Sequence, residues 1–134
     1  MSSNQFSLVL IKPSHYDDDG YVIQWFRSAI PSNTLAVMNG LALDCKERRV
    51  LGPDVDIVIS AYDETNTHVR LDRIARQLDG RPGLVALVGV QSNQFPRAMD
   101  MARTLRKSGI QVSLGQIRRR RGRGSGASGR IGRR

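Results

Sequence analysis

The chain has 134 residues and a formal net charge of +9. This length fits one domain, or one domain with a tail, and excludes a two-domain enzyme. Hydrophobic residues make up 40% and charged residues 25% of the chain, as in an ordinary globular protein. The single cysteine, Cys45, excludes an internal disulfide, a Cys-ligated structural zinc site and a Cys-bound iron–sulfur cluster within one chain.

The amino terminus gives no targeting signal. Residues 1–7 lack a basic region followed by an apolar core, so we expect no secretory signal. The longest apolar runs, 8–11 and 84–90, are far shorter than the roughly 20 residues that span a bilayer. We therefore expect a cytoplasmic protein with no membrane partner.

Four short apolar runs predict β-strands, at residues 8–11, 55–61, 84–90 and 110–115. Their β-branched content and near-continuous apolarity are typical of strands covered on both faces. The fourth run alternates more than the others, which favours a position nearer an edge of the sheet.

The segments between these runs have helical spacing. The first predicted helix carries Val22, Trp25, Phe26 and Ala29 on one face, and three aspartates, Asp17, Asp18 and Asp19, precede it where a helix favours negative charge. The second is predicted over about 34–45, with Ser32 or Asn33 as its cap and a costly Gly40 inside it. The third has an apolar face of Leu71, Ile74, Ala75 and Leu78, and the fourth one of Ala98, Met101, Ala102 and Leu105. The fourth also has Asn93 as its candidate cap, Pro96 in its first turn and Gly109 at its end.

The last three strands recur about every 25 residues with one helix between each pair. This is the βαβ rhythm of a parallel sheet, and the fold class predicted is α/β, with a flavodoxin-like (Rossmann-like) sheet of about four strands. Ligands of such sheets bind in the loops at the carboxyl ends of the strands. Those loops are 12–20, 61–68, 91–95 and the residues after Gly115.

Three of these loops contain candidate binding residues. After the first strand, Ser14, His15 and Tyr16 lead into the three aspartates, which fit either a hard cation or, as we favour, a helix start. After the second strand come Ala61, Tyr62 and Asp63, followed by a turn for which Thr65 or Asn66 is the candidate cap. After the third come Gln91, Ser92 and Asn93, neutral hydrogen-bonding groups suited either to phosphate or amide groups or to an ordinary helix cap. The glycine-rich fingerprints of nucleotide-binding loops and the G-x-S-x-G nucleophile elbow do not occur.

Residues 116–134 differ sharply in composition from the rest. They contain eight arginines and no acid, whereas residues 1–115 hold 13 Lys and Arg against 12 Asp and Glu. The pattern predicts a disordered Arg/Gly-rich tail that can contact nucleic-acid phosphates but lacks aromatics for base stacking. Such low complexity also results when a GC-rich gene is translated out of frame, and the abrupt start after a strand favours that origin.

Residues 7–115 resemble the N-terminal cobalamin-binding domain of cobalamin-dependent radical SAM proteins. The resemblance is carried by whole stretches, above all KPSHYDDDGY after the first strand and VGVQSNQFPRA around the third loop. It implies a flavodoxin-like sheet whose strand-end loops hold cobalamin. The implied cofactor contacts are Ser14, His15, Tyr16, Ala61, Tyr62, Asp63, Gln91, Ser92, Asn93 and Gly115.

The chain departs from that family in three respects. Family members continue past the fourth strand with a further helix and strand, whereas here the arginine run begins. The C-x-x-x-C-x-x-C cluster motif of the radical SAM domain is absent. The D-x-H-x-x-G motif of cobalamin enzymes that ligate cobalt through His is also missing, as it is in many radical SAM relatives, so His15 is not assigned as a cobalt ligand. We therefore expect a truncated cobalamin-binding-like domain over 1–115, non-catalytic alone, whose partners are cobalamin and a radical SAM domain in a parent protein. The alternative is a small α/β protein that binds nucleic acid through the tail of residues 116–134.

Overall fold

The computed structural model describes residues 4–24 and 33–116. Four strands and three helices alternate along this part of the chain: β1 (Asn4–Lys12), α1 (Asn33–Glu47), β2 (Val55–Asp63), α2 (Leu71–Leu78), β3 (Gly83–Val90), α3 (Phe95–Lys107) and β4 (Val112–Gln116). The four predicted strands and the last three predicted helices are confirmed. Within the described ranges, no helix is long and apolar enough to cross a membrane.

All strands pair in parallel, in the order β2-β1-β3-β4. This confirms the predicted α/β class and agrees with the flavodoxin-like order 2-1-3-4-5 over its first four strands. β4 lies at an edge, as its alternating pattern predicted. The long β1–β2 ladder pairs Asn4 with Val55 and Lys12 with Asp63, so the carboxyl ends of these strands finish level.

The helices cover opposite faces of the sheet. The larger core cluster joins Val9, Leu87 and their strand neighbours to the apolar faces of α2 and α3. The smaller one joins Leu10 and Val88 to Ala42 of α1. Because neighbouring residues of a strand point to opposite faces, α1 lies on one side of β1 and β3, and α2 with α3 on the other.

Gly89 interrupts the alternation of β3. Leu87 and Val90 both belong to the larger core cluster, although they are three residues apart, because the β3–β4 register shifts between them. Gly89 has φ +64°, and a Cβ there would lie 3.2 Å from Cγ2 of Thr34. The bulge therefore requires glycine for its backbone and for its close approach to the start of α1.

At two other glycines, replacement by alanine should change the stability of the fold in opposite directions. A Cβ at Gly83 would lie 2.8 Å from the backbone oxygen of Ser7 on β1, and we expect Gly83→Ala to destabilise the fold by about 1–3 kcal/mol. Gly40 lies inside α1 with nothing within 4 Å of the added methyl, so Gly40→Ala should stabilise the fold by up to about 1 kcal/mol. Urea unfolding of both variants checks this pair, and equal effects would contradict the packing at Gly83.

Candidate functional site

The carboxyl edge of the sheet contains the switch point between β1 and β3. The chain leaves β1 towards β2 on one side, whereas β3 is followed by β4 on the other. Ligands of open α/β sheets bind in the crevice where the strand order reverses in this way. The loop that begins at Pro13 and the loop that begins at Gln91 flank this crevice.

The loop after β1 folds into a tight hairpin. Tyr16 and Val22 form an antiparallel bridge, and Gly20 takes φ +86° between them. Oδ1 of Asp17 accepts hydrogen bonds from the N–H of Asp19 (3.0 Å) and of Tyr21 (2.8 Å). The acidic run is therefore a turn, and its predicted position at the start of a helix at Val22 is wrong. The other predicted members of that helix, Trp25, Phe26 and Ala29, lie outside the described residues.

Ser14 and His15 use polar groups to hold this hairpin in place. Ser14 is fully buried, its Oγ donates to the carbonyl of Ile23, and its N–H donates to Oε1 of Glu64 at 3.2 Å. The carbonyl of His15 accepts from the N–H of Ile23 at 2.9 Å. Both residues thus fix the shape of the loop. The described residues contain no group of three or more His, Cys, Asp or Glu placed to hold a metal ion.

A buried ion pair beneath the hairpin was not foreseen from the sequence. Glu64, 1% exposed, receives two parallel hydrogen bonds from Arg97 of α3: Nε to Oε1 at 2.9 Å and Nη2 to Oε2 at 2.8 Å. These hydrogen bonds raise the pKa of Arg97 above its usual range, against the opposing effect of desolvation. The pair joins the end of β2 to α3 and, through Ser14, to the loop after β1.

Tyr16 extends this network to the surface. Its hydroxyl donates to Oδ2 of Asp100, and the guanidinium carbon of Arg97 lies 5.8 Å from the centre of its ring. Burial raises the pKa of Tyr16 above its ordinary value, and the hydrogen bond to Asp100 raises it further. A tyrosine is already protonated at neutral pH, and the raised pKa extends to higher pH the range in which its hydroxyl donates to Asp100.

The predicted binding residues at the end of β2, Ala61, Tyr62 and Asp63, have different surroundings. Ala61 pairs with Leu10 and Tyr62 with Ile11, so Ala61 faces the α1 side and Tyr62 packs against the larger core. Oδ1 of Asp63 accepts from the N–H and the hydroxyl of Thr65. The predicted helix cap at Thr65 or Asn66 is wrong, because α2 begins at Leu71 with Arg70 before it.

The loop after β3 presents the accessible polar groups. Gln91, Ser92 and Asn93 are exposed, and so is Gly115 on the neighbouring strand. The cap of α3 is Gln94 and not Asn93 as predicted; the side chain of Gln94 turns back so that its Oε1 accepts from the N–H of Gln91 at 2.9 Å. The side chains of the three preceding residues are exposed to solvent beside the switch point.

The ten predicted contacts therefore fall into two groups. The structure places Ala61, Gln91, Ser92, Asn93 and Gly115 where an external molecule can reach them. The other five, Ser14, His15, Tyr16, Tyr62 and Asp63, are half-buried or buried, and their contacts are mainly with the fold. Comparisons with protein-family models, curated proteins and solved structures find no match.

Proposed function

We propose that this chain is a cobalamin-binding module of a radical SAM-type protein, non-catalytic on its own. The observation that carries the proposal is the exposed neutral loop 91–93 beside the β1–β3 switch point. The resemblance of residues 7–115 to cobalamin-binding domains supports the identity of the ligand. A corrin carries many amide groups on its rim, and neutral side chains at this edge can hydrogen-bond such groups without placing a net charge beside them.

Different residues would contribute in different ways. Gln91, Ser92 and Asn93 would bind the corrin amides, while Ala61 and Gly115 allow the ring to approach the strand ends closely. Tyr16 and Ser14 would act indirectly, because their hydrogen bonds hold the hairpin against Glu64 and α3. Bound cobalamin would supply methyl-transfer or radical chemistry, and the part of this chain is to bind and orient it.

Two exposed glutamines at opposite edges of the sheet provide a matched test. Gln91 lies at the carboxyl edge, whereas Gln111 directly precedes β4 at the amino-terminal edge. We expect Gln91→Trp to weaken binding of hydroxocobalamin by the full chain at least about tenfold, which corresponds to about 1.4 kcal/mol. Gln111→Trp should leave the affinity unchanged. Equilibrium dialysis measures both, since it does not require a spectral change at cobalt.

Two different results would distinguish a wrong binding site from a wrong ligand. Retention of hydroxocobalamin that is equally sensitive to both substitutions would contradict the carboxyl edge as its site. No retention by the full chain at high micromolar protein would overturn the proposal itself.

A further inference from the structure

Charge is strongly segregated within the described part of the chain. Residues 70–116 carry eight Lys and Arg against three Asp, a net charge of +5. The described residues before them, 4–24 and 33–69, carry four Lys and Arg against nine Asp and Glu, a net charge of −5. The described residues together therefore have a formal net charge of zero, although one half of them is strongly positive and the other strongly negative.

Most of the basic residues of the positive half lie on or next to one helical layer, formed by α2 and α3. α2 and α3 pack side by side against the same face of the sheet, through Ile74 and Leu78 of one helix and Met101 and Leu105 of the other. Their apolar residues face inwards, so their charged residues share the outer surface. We call this surface the arginine face; its basic residues are Arg70, Arg73, Arg76, Arg81, Arg103, Arg106 and Lys107.

Several basic residues of the arginine face form no ion pair with a carboxylate of the described residues. Within the described ranges, Arg73, Arg81, Arg106 and Lys107 have no carboxylate within ion-pair distance, and all four are exposed. Arg106 and Lys107 lie in the last turn of α3, where the helix dipole favours cations. That effect does not explain Arg73 near the start of α2 or Arg81 beyond its end.

Grooves extend the arginine face to the amino-terminal edge of the sheet. One is lined by Arg81, Pro82 and Gly83 on one side and Gly109 to Gln111 on the other. A second, lined in part by Arg106, shares residues 109–111 with the first. This edge is opposite the switch point, so the surface is separate from the proposed cobalamin site.

We propose that the arginine face binds the phosphodiester backbone of nucleic acid. Its exposed guanidinium groups provide contacts to successive phosphates. Phe95 is the only aromatic residue between 70 and 116, and the one aromatic residue that lines the first groove, Phe6, is half-buried. The surface therefore has little with which to stack bases, and binding is independent of sequence.

The test compares two charge-matched double variants of the full chain. Arg73→Gln with Arg106→Gln removes two charges from the arginine face, whereas Arg48→Gln with Arg49→Gln removes two from the end of α1 on the opposite layer. Binding to a fluorescein-labelled DNA duplex of about 20 base pairs is followed by anisotropy between about 50 and 200 mM salt. The slope of log K against log salt should fall by about two for the first variant, because each lost phosphate contact removes about 0.9. The second variant should retain the parental slope.

Two results would overturn the proposal. Equal slope changes in both variants would mean that net charge alone, and not the arginine face, governs binding. Stronger binding to phosphatidylserine vesicles than to duplex, lost only with Arg73 and Arg106, would assign the surface to an anionic membrane. Circular dichroism of both variants excludes unfolding as the cause, and hydroxocobalamin retention should be unaffected in each.

Discussion

Replacing Arg97 by methionine should destabilise the fold by about 3–5 kcal/mol. Glu64 would remain 1% exposed with its carboxylate deprived of two charge-assisted hydrogen bonds, and an uncompensated buried charge is the costly outcome of breaking such a pair. Domains of this size have only about 5–15 kcal/mol of total stability, so the variant should be close to unfolding. Equilibrium unfolding in urea measures the loss.

A second substitution identifies the cause. Glu64→Gln removes the charge but keeps an oxygen that can accept from the N–H of Ser14, so the double variant Glu64→Gln with Arg97→Met should recover most of the lost stability. The control is Arg103→Met on the same helix, where the guanidinium is 70% exposed and 3.4 Å from Asp100; it should cost less than about 1 kcal/mol. A double variant no more stable than Arg97→Met alone would contradict the role assigned to the buried charge.

This ion pair also marks the limit of what the sequence predicts. Strand positions and the parallel sheet follow from local apolar runs and their spacing. The end of α3 at Lys107 follows from Gly109, whose positive φ belongs to a turn that glycine adopts more easily than other residues. Glu64 and Arg97 are 33 residues apart, and Tyr16 and Asp100 are 84 apart. No periodicity within a single element indicates such contacts; they exist because the topology brings the ends of β1 and β2 beside α3.

The loops show a different limit. The composition of three consecutive aspartates is compatible with a helix start, a cation site or a turn. The hydrogen bonds that Oδ1 of Asp17 accepts from the N–H groups of Asp19 and Tyr21 show that the segment is a turn. Similarly, Asn93 is the better cap by residue preference, yet Gln94 occupies the cap position without a side-chain capping hydrogen bond, and its Oε1 accepts from the N–H of Gln91. Residue preferences alone do not predict this contact.

Two leucines on different helices should show how strongly the stability of the fold depends on the burial of a side chain. Leu105 of α3 is fully buried among Val85, Leu87 and Met101, so Leu105→Ala should cost about 2–5 kcal/mol through lost burial and the cavity left behind. Leu41 of α1 is 55% exposed, and Leu41→Ala should change the stability by no more than about 0.5 kcal/mol. Both substitutions place alanine inside a helix, so helix propensity changes little in either and packing alone separates them.

The two core clusters also differ in size. Among the residues that the structure describes, the α2–α3 core contains most of the fully buried side chains, whereas the smaller cluster beneath α1 has three buried members. If Leu105→Ala and Leu41→Ala lowered the urea midpoint equally, the outer side of α1 would have to be covered in solution, by another copy or by another part of the chain. A large loss for Leu105 alone agrees with its complete burial and with the exposure of Leu41 to solvent.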